Sequence, residues 1–102
     1  MSTDQHIPLE LFCRHEEVDI AVVRAFHQRG LIHLCPGEQD YGIPAEELPH
    51  LERLLRLHRE LEINLEGVEA ISHLLERMER LQEEVRGLRA RLRLYEREEG
   101  LA

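Results

Sequence analysis

The chain has 102 residues, with 21 acidic side chains against 13 basic ones, every basic one an arginine, for a formal net charge of −8. That balance weighs against a nucleic-acid ligand, which is held through neutralised phosphates, and favours a basic protein surface, toward which opposite potentials steer encounter. Aromatic residues make up 4% and tryptophan is absent, so the core must be mostly Leu, Ile and Val, in one small domain that oligomerisation would help to stabilise.

No apolar run approaches the roughly 18 residues a membrane span requires, and no leader-like segment opens the chain, so a soluble, cytosolic protein is expected. The two cysteines, Cys13 and Cys35, are then expected to be free and buried. Residues 1–6 are polar and expected to be loose. Ile7-Pro8 is expected to open a first helix, with Pro8 at its first position, where a missing N–H costs nothing. Leu9, Leu11, Phe12 and Cys13 form its apolar side. His15-Glu16-Glu17 reads as a turn and Asp19 as the N-cap of a second helix, which buries Ile20, Val22, Val23 and Phe26 after Val18. Gly30 closes that helix in a conformation open to positive φ. Two helices joined by a tight turn make a helix-turn-helix.

Residues 31–34, Leu-Ile-His-Leu, are a strand candidate, residues 36–40 a turn, and Tyr41-Gly42-Ile43 the returning strand of a small hairpin wing. A third helix is expected from Pro44 or Ala45 to about Leu61, with Leu48, Leu51, Leu54, Leu55, His58 and Leu61 as its stripe. Pro49 cannot donate to the carbonyl of Ala45, so the first turn should be distorted or separate. Glu62-Ile63-Asn64 interrupts, and Asn64 caps a fourth helix that contains Gly67 and Gly87 and frays at Gly100. The expected division is a winged helix-turn-helix domain over residues 1–64 and a coiled-coil helix over residues 65–102, mainly α overall.

The fourth helix carries a heptad repeat. Ile71, Met78, Val85 and Leu92 occupy position a; Leu74, Leu81, Leu88 and Tyr95 occupy position d. So narrow a seam calls for another helix, most simply that of a second copy. Strand direction stays open. A parallel pair sets Glu84 against Arg89 and Arg91 against Glu96, and an antiparallel pair can set Glu84 against Arg91. By halves, residues 1–64 carry 12 acids and 6 arginines, or −6, and residues 65–102 carry 9 acids and 7 arginines, or −2. The globular half is the more acidic one.

Phe26-His27-Gln28-Arg29-Gly30-Leu31-Ile32 resembles the end of the second helix and the wing entry of MerR-type DNA-binding proteins. Ile63-Asn64-Leu65-Glu66-Gly67-Val68 resembles their junction between third and fourth helices. The likeness is closer to the chaperone-modulator family of CbpM type. It rests on Arg56-Leu57-His58, Glu60-Leu61, the run from Ile63 through Glu69-Ala70-Ile71, and His73-Leu74-Leu75 with the leucine-rich coil beyond. It spans nearly the whole chain and is most specific over residues 56–75.

The resemblance implies a bacterial, cytoplasmic regulator that is not an enzyme, with nucleoid association through its partner as one option. Members of that family bind the J-domain of a DnaJ-like co-chaperone (CbpA) and hinder its stimulation of the Hsp70 partner DnaK. Glu16, Glu17, Asp19, Glu46, Glu47 and Glu62 are the acids that could meet such a basic surface, although acids at turns and helix starts also serve the helix dipole. The alternative is a transcription regulator with the helix after Asp19 in the major groove. Against it, that helix sets only Arg24 and Arg29 against Asp19, and the wing carries Glu38 and Asp40 with no basic residue. Neither a nucleophile-base pair nor a metal-ligand spacing among the seven histidines and two cysteines is recognisable, so no catalysis, cofactor or metal is expected.

Overall fold

The structure, a computed structural model, describes residues 6–37 and 39–101. Of residues 1–6, expected to be loose, His6 instead pairs in a strand, its partner being Pro44; residues 1–5 and Glu38 of the wing turn lie outside the described residues. The chain divides into two compact units, residues 1–70 and 71–102.

In the first unit, strand β1 (His6–Pro8) leads directly into helix α1 (Leu9–Glu16). Pro8 is therefore the N-cap, with extended backbone (ψ 136°), rather than the first helical residue. Its neighbours His6 and Ile7 pair antiparallel with strand β3 (Tyr41–Pro44), in the register Ile7↔Ile43. Proline suits this place because its ring fixes φ and a strand edge does not need its N–H. Leu9, Phe12 and Cys13, spaced three and four apart, are buried. Leu11 is off that face and 52% exposed, contrary to expectation.

Helix α2 (Ile20–Gln28) begins at Asp19, whose Oδ1 accepts the Ala21 N–H at 3.0 Å. Both helices of the pair end in the same way. The Val18 N–H donates to the Cys13 carbonyl at 2.9 Å after Glu17 takes a φ of 56°, and the Leu31 N–H donates to the Phe26 carbonyl at 2.9 Å after Gly30 takes 76°. These are Schellman closures, and in each the residue that follows the left-handed one, Val18 or Leu31, enters the core.

Leu31 and Ile32 are adjacent and both buried, which a half-buried strand with alternating side chains does not permit. The expected strand at residues 31–34 is therefore displaced to β2 (Cys35–Pro36), which pairs with β3 through Cys35↔Gly42 and Pro36↔Tyr41. The sheet has the order β1-β3-β2. The hairpin wing is present, with the first strand of the chain added along its far edge. Both cysteines are free, Cys13 buried and Cys35 half-buried. Burial pushes the Cys13 thiol up, with Asp19 adding to the rise and Arg24 opposing it.

A 3-10 turn at Ala45–Glu47 precedes helix α3 (Leu48–Leu55), the separate first turn that Pro49 demands. The helix then widens into a π turn at Arg56–Glu60, where the Leu61 N–H reaches the Arg56 carbonyl at 3.2 Å. Leu61 is 61% exposed, because the widened turn carries it off the stripe. His58 is where the stripe placed it: its Nδ1–H donates to the Ile63 carbonyl at 2.8 Å and its ring stands edge-on to Phe26, with centroids 6.3 Å apart.

Helix α4 (Leu65–Leu101) starts at Asn64, whose Oδ1 accepts the Gly67 N–H at 2.8 Å. It stays helical past Gly100, where fraying was expected; one glycine costs about 1 kcal/mol in a helix and does not by itself end one. Leu9, Val23, Phe26, Ile43, Leu51, Leu54 and Val68, all fully buried, draw α1, α2, β3, α3 and the start of α4 onto one core. Each contributes about 1.5–3 kcal/mol through the apolar surface removed from water.

In the second unit, α4 continues as a single helix. Leu74, Met78, Leu81, Val85, Leu88, Leu92 and Tyr95 are 44–64% exposed, and Ile71 is half-buried.

Candidate interaction surfaces

The residues that a helix-turn-helix protein would turn toward a ligand lie on α2 and on the wing. On α2, Ala21 and Gln28 are exposed, and Arg24, Ala25 and His27 are half-exposed. The wing closes against this helix at two points. Arg24 Nη2 donates to Asp40 Oδ2 at 2.7 Å, and the Tyr41 ring tilts against the His27 ring with centroids 5.4 Å apart. Between them, Asp40 bends the loop by accepting the Gly37 N–H on its backbone carbonyl at 2.6 Å.

Arg29, the C-cap of α2, is occupied from another side. Arg29 Nη1 donates to Glu69 Oε1 at 2.8 Å, and Arg29 Nη2 lies 3.5 Å from Glu66 Oε2. The bond to Glu69 chiefly, opposed by desolvation and reinforced by the Glu66 charge, raises the guanidinium pKa above its ordinary value. The guanidinium groups of Arg24 and Arg29 thus both face carboxylates of their own chain. Sequence reasoning missed these pairs, since charges 16 and 40 positions apart leave no periodic signal.

The six acids singled out in the sequence do different jobs. Asp19 caps α2. Glu47 accepts the His33 N–H at 3.1 Å, while the His50 Nε2–H donates to the Leu31 carbonyl at 2.8 Å, so two side chains from the start of the third helix brace the segment after Gly30. Glu17 and Glu62 occupy left-handed backbone positions and are exposed. Glu46 is exposed on the 3-10 turn. Glu16 borders a shallow depression lined also by Glu52, Leu55, Arg56, Arg59 and Glu60, where arginines and carboxylates mix. Among the described residues, no three His, Cys, Asp or Glu side chains are grouped so as to hold a metal ion, and no helix is long and apolar enough to cross a membrane.

From residue 30 to residue 52 the chain has neither Arg nor Lys. This stretch includes the whole β2–β3 hairpin, the part of the fold that would lean on a phosphate backbone.

The family described as MerR HTH family regulatory protein matches residues 7–90. Comparison with curated proteins and with solved structures found no match. The matched span covers the helix pair, the β2–β3 hairpin, the third helix with its π turn and most of α4, and on those grounds the chain belongs to the MerR helix-turn-helix family of regulatory proteins.

Proposed function

We propose that this chain is a non-enzymatic chaperone modulator of the CbpM type: an adaptor that binds the J-domain of a DnaJ/CbpA-like co-chaperone and restrains its stimulation of Hsp70. It works in the cytoplasm as a homodimer joined through α4. The observation that carries this reading is the stretch from residue 30 to residue 52 without Arg or Lys, which contains the whole β2–β3 hairpin. A wing without positive charge is ill-suited to phosphate and well suited to a partner that presents its own cations. The net charge of −6 over residues 1–64 and the resemblance over residues 56–75 support the same assignment. The dimer is supported by the exposed heptad seam on an uninterrupted helix.

Titration calorimetry of the purified chain with an isolated J-domain tests it. Binding at micromolar concentration that weakens with added salt is expected, and an absence of heat would remove the reading. The second reading, a DNA-binding transcription regulator, is favoured by the family match itself. Its test is a gel shift on the promoter region of the chain's own gene, where a retarded, sequence-dependent band would displace the adaptor.

A further inference from the structure

Two arginines stand at α2, Arg24 within it and Arg29 at its C-cap, and each has a carboxylate partner from outside the helix. Asp40 comes from the wing; Glu66 and Glu69 come from the first turns of α4. Two of the three are short and partly buried, and the third, Arg29 to Glu66, is a looser surface contact at 3.5 Å. The Arg24–Asp40 distance is 2.7 Å with the Asp40 side chain 29% exposed, and the Arg29–Glu69 distance is 2.8 Å with both side chains near 30% exposed. The Arg29 fork divides its two nitrogens between two carboxylates, so the donors that a phosphate would engage face anions already.

We propose that Asp40, Glu66 and Glu69 serve as built-in phosphate substitutes: they mask the guanidinium groups of Arg24 and Arg29 and keep the helix-turn-helix unit silent toward nucleic acid. A phosphate arriving at Arg24 would have to displace Asp40, and at Arg29 it would have to displace Glu69 and Glu66. One anion would replace another, which yields little, and the displaced carboxylate would stay nearby as a like charge. Three carboxylates thus stand against two guanidinium groups. No cation between residues 30 and 52 compensates. A merely structural pair would tie the wing and α4 to α2 and, once broken, would only lower stability. A mask, once removed, confers a new activity. The inference goes beyond the co-chaperone reading and does not depend on it.

The test is fluorescence anisotropy of a labelled duplex of about 30 base pairs and mixed sequence, titrated with the full chain at about 50 and 200 mM salt. The unmasked variant is Asp40→Asn/Glu66→Gln/Glu69→Gln. The control, Glu46→Gln/Glu60→Gln/Glu62→Gln, removes the same charge from exposed sites that pair with neither arginine. The unmasked variant is expected to bind about tenfold more tightly than wild type at the lower salt, and to lose most of that gain at the higher salt. Two freed arginines steepen the dependence of log K on log salt by about 2. The control should gain less than about twofold, and adding Arg24→Ala and Arg29→Ala to the unmasked variant should abolish the gain. Equal gains in control and unmasked variants, a gain that survives loss of both arginines, or wild-type binding as tight as that of the unmasked variant would each overturn the proposal. If circular dichroism shows the triple variant unfolded, Asp40→Asn alone decides the matter: a gain of about threefold that requires Arg24 is expected, and no gain refutes the mask.

Discussion

Glu17, Gly30 and Glu62 share a left-handed backbone, with φ of 56°, 76° and 55°. Each redirects the chain so that the next residue, Val18, Leu31 or Ile63, packs into or against the core. Only glycine adopts this conformation without a side-chain clash, which costs other residues about 1–2 kcal/mol. Glycine also carries more unfolded-state entropy, which offsets about 0.4–1 kcal/mol of that difference. Gly30→Ala is therefore expected to destabilise the chain by about 1 kcal/mol, through strain alone, since nothing lies within 4 Å of the added Cβ. Glu62→Gly should be neutral or stabilising by up to about 0.5 kcal/mol. Urea denaturation midpoints distinguish the two; a Gly30→Ala protein as stable as wild type would contradict the account.

At the scale of elements, α4 contains two glycines with opposite roles. A Cβ on Gly67 would lie 2.6 Å from Ile63 Cγ2 and 3.1 Å from the capping Asn64 Oδ1, whereas a Cβ on Gly87 would meet nothing within 4 Å. Gly67→Ala must move Ile63, which packs against the core, at a cost of about 1–3 kcal/mol that exceeds the helix-propensity gain. Gly87→Ala collects that gain of about 1 kcal/mol without opposition. Thermal melts followed by far-ultraviolet circular dichroism should move in opposite directions for these two variants of one helix. The stripe of α3 shows a comparable contrast: Leu51, Leu54 and Leu55 lie where the 3.6-residue period puts them, and Leu61 does not, because the π turn at Arg56–Glu60 adds a residue to the cycle.

At the scale of the whole molecule, the exposed seam of α4 governs assembly under the proposed function. Each buried leucine of a paired coil contributes about 1.5–3 kcal/mol, and aspartate in its place would leave an unpaired charge in an apolar layer. Light scattering on the eluting protein is expected to give twice the chain mass of 12.0 kDa for wild type. Leu81→Asp/Leu88→Asp should give the single mass with the helix-turn-helix unit still folded. An unchanged mass would rule out pairing through this seam.

Sequence alone settled what depends on local chemistry and on periodicity. The Asp19 and Asn64 caps, the glycine closure of α2, the separated turn before Pro49, the wing hairpin and the long heptad helix are each written within a few consecutive residues. A cap or a period acts over one to three turns, so a short window contains all of its causes. Tertiary structure decided what joins distant segments. It enlisted His6–Pro8 as a third strand, turned Leu31 and Ile32 from a strand into core, put glutamates in two left-handed positions and paired Arg24 and Arg29 with acids far along the chain. Those outcomes depend on which surfaces meet once a common core has formed, and neither the spacing nor the identity of neighbouring residues encodes such a meeting.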